Sequence, residues 1–111
     1  MPEPEASPDA VVLVVARDLV FRSKLEEIAR ASGWRVTRTL PARVAVLELG
    51  GWPALERVRE LTAAGVPVLA FGSHVNAEAL RAARQAGATA VPNSAVEATL
   101  RAWLAGGVSG T

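Results

Sequence analysis

At 111 residues, half of them apolar, the chain has the material for one hydrophobic core and too little for a second domain. Lys and Arg number 12 against 11 Asp and Glu, with no long run of one sign, so a binder of the phosphate backbone is not expected. The absence of cysteine excludes disulfides and thiolate metal sites, and a single histidine cannot build an all-histidine one.

Residues 1–9 carry three prolines and three acids with no apolar stretch or basic start, so they read as a disordered tail rather than a signal peptide. The domain is expected over residues 10–105, with a flexible end at 106–111. Residues 10–16 include Val11, Val12, Leu13, Val14 and Val15, a β-branched run without polar alternation, as a strand buried on both faces requires. Asp18 can then cap a helix whose Phe21, Leu25, Ile28 and Ala29 recur at helical spacing and which ends before Gly33.

Residues 34–39 alternate, with Trp34 and Val36 on one face and Arg35, Thr37 and Thr39 on the other, which suits an edge strand. Residues 44–49 form another apolar run. Gly50-Gly51 follows as a turn, without the spacing of a phosphate-binding loop, and Pro53 opens a helix at 54–64 closed by Gly65. Residues 66–71 read as a further buried strand, after which Asn76 caps a helix at 77–86 closed by Gly87. Residues 88–91 are a short strand. Ser94-Ala95-Val96-Glu97 has the spacing of a capping box for a last helix running to about Leu104. No apolar stretch reaches the roughly 18 residues of a membrane span, so no membrane association is expected.

Strands alternating with helices predict a doubly wound parallel sheet of five strands in the order 2-1-3-4-5. Only about four residues, 40–43, separate the second and third strands, against the dozen or so of a usual crossover. The helix there is expected to be missing or reduced. Of two routes, a truncated edge strand with an extended return is favoured over a hairpin, which would split the parallel core.

With these elements placed, the chain resembles the receiver domain of bacterial response regulators, a flavodoxin-like fold, apart from the missing second helix. The resemblance rests on Leu13-Val14-Val15 with its helix to Gly33, and on Pro67-Val68-Leu69 through Ala86-Gly87-Ala88. It is closer still to a set of degenerate receivers with a D-L-x-F-x-S-K segment and an F-G-x-H-V loop. Here these read Asp18-Leu19-Val20-Phe21-Arg22-Ser23-Lys24 and Phe71-Gly72-Ser73-His74-Val75.

In active receivers two acids after the first strand hold Mg²⁺, an Asp ending the third strand accepts the phosphoryl group, and a Thr or Ser and a Lys complete the site. The resemblance puts Ala16 and Arg17 at the acid pair, Glu48 at the phosphoacceptor, Gly72 at the switch hydroxyl with Ser73 beside it, and Ser94 at the Lys. A magnesium ion thus loses its carboxylates, and the extra methylene of Glu48 moves its oxygen out of register. The resemblance therefore implies a pseudo-receiver without catalysis or cofactor.

Arg17, Asp18, Glu48, Ser73, His74 and Ser94 are candidates for the crevice at the carboxyl ends of the strands, where open α/β sheets commonly hold ligands. The alternative is structural: Arg17 pairs with Glu48, Asp18 caps a helix and Ser73 serves its loop. His74 can be a general base or a pH sensor, although a loop histidine is more often structural, and Lys24 is expected to be a solvated surface residue. Trp52 and Trp103 are candidate partner contacts, with Trp103 equally suited to the core, and Ala79, Ala82, Ala83 and Ala86 would allow a second copy to pack closely.

Two functions follow as expectations. The first is a cytoplasmic, phosphorylation-independent signalling or scaffold module, not an enzyme, which binds another protein and can form a homodimer. The second is a sensor of a small anion, with Arg17 reading the charge and His74 or Ser73 assisting.

Overall fold

The computed structural model describes residues 10–50 and 53–107. The segments 1–9 and 108–111, expected as tails, and Gly51 and Trp52 lie outside the described residues. Five strands alternate with four helices: β1 (Val11–Val15), α1 (Leu19–Ala31), β2 (Arg35–Thr37), β3 (Val44–Glu48), α2 (Ala54–Ala63), β4 (Val68–Gly72), α3 (Ala77–Gln85), β5 (Thr89–Pro92) and α4 (Val96–Ala102). The strands form one sheet in the order β2-β1-β3-β4-β5, every pair parallel.

The unbroken apolar runs are explained by two cores, one on each face of the sheet. Val12 and Val14 of β1, Val44 and Val46 of β3, and Leu69 and Phe71 of β4 point to the face covered by α1 and α4. Their neighbours Leu13, Ala45, Leu47, Val68 and Ala70 point to the face covered by α2 and α3. Successive strand residues point to opposite faces, so a strand covered on both sides must be apolar at every position. Each fully buried Leu or Val contributes roughly 1.5–3 kcal/mol relative to exposure, which favours the full two-sided cover.

The helices fit their cores by helical spacing. Leu25, Ile28 and Ala29 of α1 meet Val96 and Leu100 of α4, while Ala54, Val58 and Leu61 of α2 join Leu80 and Ala83 of α3 on the other face. Asp18 caps α1 as its sequence implies, its Oδ1 accepting from the amides of Val20 at 2.9 Å and Phe21 at 3.1 Å. Asn76 caps α3, accepting from the Ala79 amide at 3.3 Å. At the end of α3, Gly87 takes a φ of 101°, in the left-handed region that a side chain disfavours. The Thr62 hydroxyl fastens this turn to α2 by donating to the Ala86 carbonyl at 3.0 Å.

One local expectation is corrected at the last helix. The Ser94–Glu97 capping box does not form, because a tight turn over Asn93–Ala95 carries the chain into α4 and puts Ala95 at the cap position, with no side-chain cap bond. The helix ends in a wider turn, Trp103–Gly107, with Gly106 at a φ of 106°. Trp103 is buried, and the Trp34 indole N–H donates to the Leu104 carbonyl at 3.0 Å, tying this turn to the start of β2.

The short link between β2 and β3 takes the extended route. β2 pairs parallel to β1, which rules out the hairpin, and residues 38–43 contain no helix. Thr37 lies level with Leu13 and Val44 level with Val12, so the chain steps back by one residue while crossing two strand spacings. That is about 10 Å of lateral travel, well within the reach of six extended residues at about 3.3 Å each. The crossing runs over the α2–α3 face, where Ala42 packs against the core, and the Arg43 amide donates to the Val11 carbonyl at 2.8 Å. β2 is thus an edge strand of three residues, without a crossover helix over its second face.

Candidate functional site

The carboxyl ends of β1 and β3 lie side by side, with Val15 level with Leu47, so the chain leaving β1 passes next to Glu48. Glu48 Oε1 accepts from the backbone amides of Arg17 at 2.7 Å and Asp18 at 3.0 Å. The longer arm of Glu lets a residue anchored in β3 reach the loop after β1. Two amides on one carboxylate oxygen form short, charge-assisted hydrogen bonds that fix the loop leading into α1.

The expected pairing of Arg17 with Glu48 therefore exists through the backbone amide and not through the guanidinium. Among the described residues the Arg17 side chain makes no ion pair, and it is exposed. Ala16 is buried at the end of β1 and supplies no ligand. These residues do not fit a receiver-type magnesium site: Ala16 and Arg17 offer no carboxylate, and Glu48 already accepts two amides. Among the described residues no three of His, Asp and Glu come together in a metal-binding group.

The other anticipated residues spread apart. Ser73 serves its own loop, its Oγ accepting from the Val75 amide at 3.3 Å and its carbonyl from the Asn76 amide at 2.9 Å. His74 sits exposed in that turn with no hydrogen bond or ion pair among the described residues. Ser94 lines a groove between α1 and α4, of ≈ 570 Å³, with Val20, Phe21, Lys24 and Arg101 among its other walls. Of the six crevice candidates, Arg17, Asp18 and Glu48 are brought together by hydrogen bonds, whereas Ser73, His74 and Ser94 have no such bond to that trio.

The anticipated contact surface is also revised. Ala83 is fully buried under the sheet and Trp103 is buried within the core on the α1–α4 face, so both complete the core and neither presents a face to a second chain. Ala79 is partly buried against the α2–α3 core. The large apolar side chains left exposed include Leu19 and Val20, consecutive at the start of α1, with Val20 on the rim of the α1–α4 groove.

A second feature at the end of β1 brings together residues that the sequence keeps apart. Arg22 of α1, Arg38 just after β2 and Arg57 of α2 line a crevice of ≈ 390 Å³ with Val14, Val15 and Ala16. Arg22 and Arg38 make no side-chain hydrogen bond or ion pair among the described residues. Arg57 lies 3.6 Å from Glu60 one turn along its own helix, a pair whose acid is 68% exposed and therefore weak. The three arginines are spaced 16 and 19 residues apart in the chain, so no basic run announces them.

A scan against models of known protein families gives no match to this chain, and a search of curated proteins finds no similar one.

Proposed function

We propose that this chain is a receiver-like signalling or scaffold module that works without phosphorylation and acts by binding another protein. The observation that supports this best is the engagement of Glu48. A phosphoacceptor needs a free carboxylate oxygen aligned with the incoming phosphorus, and a metal beside it to take up the developing charge. Here Glu48, which the resemblance puts at the phosphoacceptor position, anchors the loop after β1, and the resemblance puts Ala16 and Arg17 at the metal-binding acids. The sheet order agrees with the flavodoxin-like architecture of receivers.

A contact surface for a partner is offered by the first turn of α1. Leu19 and Val20 are 64% and 65% exposed, and Val20 borders a groove that continues through Phe21 and Lys24 to Glu97 and Arg101 of α4. An apolar rim with a mixed-charge floor is the composition of a protein contact more than of a metabolite pocket.

The test is incubation of the full chain with acetyl phosphate and Mg²⁺, read by intact mass, with sedimentation measured in the presence and absence of beryllofluoride. The expected result is no phosphoryl adduct and no change in sedimentation. A hydroxylamine-labile adduct on Glu48, or a mass that doubles on adding beryllofluoride, would mean a working phosphorylation switch and overturn the proposal.

A further inference from the structure

The crevice at the end of β1 has the attributes of an anion site that neither the sequence spacing nor the receiver resemblance assigns. Three arginines reach it from three different elements, α1, the β2–β3 link and α2, so a ligand in it would meet positive charge from several sides. Two of these guanidiniums have no partner among the described residues, and the third has only an exposed one. The concentration of charge is local, since the chain as a whole carries only +1.

Its location follows from the topology. β2 pairs with β1 only from Val11 to Leu13, so residues 14–16 run on past the end of the edge strand, and the crevice, with no β3 residue in its lining, lies beside them. The extended link, which takes the place of a crossover helix, delivers Arg38 to it. Residues 14–16, at the end of β1, line it as an extended segment, with Val14 and Ala16 buried toward α1 and α4 and Val15 partly buried toward the other face.

We propose that this crevice binds a small organic phosphate ester, its phosphoryl oxygens held by Arg22, Arg38 and Arg57 and its organic part lying along residues 14–16 at the end of β1. Guanidinium groups suit a phosphoryl group because each presents paired donors to two oxygens, and several can share its multiple charges. A lone carboxylate would engage one arginine and leave the others unpaired. The volume falls in the range of small-molecule pockets and exceeds what an inorganic phosphate fills. The exposed Glu60 would give way, because a weak surface pair is readily exchanged for a doubly charged ligand. Arg17, whose backbone is held by Glu48, does not line this crevice.

The experiment is an amide NMR titration of the full chain at low salt without Mg²⁺, using pyrophosphate, adenosine monophosphate, ribose 5-phosphate and a short polyglutamate peptide, each matched in ionic strength by chloride. A saturable response to a phosphate ester is expected, centred on Ala16, Arg22, Arg38 and Arg57. Arg38→Gln and Arg22→Gln should each weaken it by about tenfold or more, as loss of a charge-assisted bond does. Lys24→Gln, outside the crevice, should leave it unchanged.

Shifts that disappear under matched ionic strength, or that survive both arginine substitutions, would overturn the proposal. So would pyrophosphate binding as well as any ester, which would leave the segment 14–16 without a role, or tighter binding of polyglutamate, which would make the crevice a contact for an acidic protein segment. Because the titration is metal-free and reads reversible binding, its failure is separate from any covalent modification of Glu48.

Discussion

Two groups of charged residues lie within a few residues of each other at the end of β1, and they are in opposite states. In the loop after β1, Glu48 and Asp18 together accept four backbone amides, from Arg17, Asp18, Val20 and Phe21. In the adjoining crevice, the guanidiniums of Arg22 and Arg38 donate no hydrogen bond and make no ion pair among the described residues. The carboxylates are therefore part of what holds the fold, since each satisfies donors that would otherwise lack a partner. The arginines leave their hydrogen-bonding capacity unused by the fold, and a group of like charges held close together costs free energy until an anion arrives. Stability and ligand capacity are thus assigned to residues of opposite sign.

This contrast can be broken by substitution, most strongly at Glu48. Glu48→Ala removes both charge-assisted bonds to the loop and should lower stability by about 2 kcal/mol, with Glu48→Gln losing roughly half as much, measured by urea unfolding. A stability unchanged by Glu48→Ala would mean that the loop is held by other contacts. Asp18→Ala comes next, with an expected loss of about 1 kcal/mol from the helix cap, and Asp18→Asn should recover most of it. At the other extreme, Arg38→Gln should leave the urea midpoint where it is, or raise it slightly at low salt by relieving repulsion. A marked loss in that variant would show the arginine to be structural and would remove the distinction between the two groups.

Much of the architecture was legible in the sequence because its signals are local. The run Val11 to Val15, the Asp18 and Asn76 caps and the glycines at 33, 65 and 87 each act within a few residues, and the structure places all of them in the expected roles. The short gap before β3 also carried enough information to favour an extended return. Ser94 and Glu97 were misleading because an extra tight turn shifts the cap to Ala95, and a four-residue spacing does not register such a shift.

The site was less legible, for the same reason. Its strand-end position followed from the topology, and Glu48 and Asp18 could be placed from the ends of their elements. Arg22, Arg38 and Arg57 sit on separate elements, and each in isolation looks like an ordinary surface arginine. Only the route of residues 38–43 across β1 brings the second of them to the others, and that route depends on register, which composition does not encode. Trp103 and Ala83 failed as contact residues for the converse reason: spacing showed which helix face they share but not that the sheet lies directly beneath it.

The three-residue length of β2 gives this arrangement a dynamic consequence. An edge strand with one neighbour and so few ladder bonds is the element expected to open first, with amide exchange far faster than in β1 or β3. Arg38 follows directly after it, so each opening carries off one wall of the arginine crevice. A ligand held there would bind only the closed form, and linkage then requires it to slow exchange in β2 in proportion to its occupancy. Exchange at Val36 and Thr37 would thus serve as a built-in gauge of whether the crevice is filled.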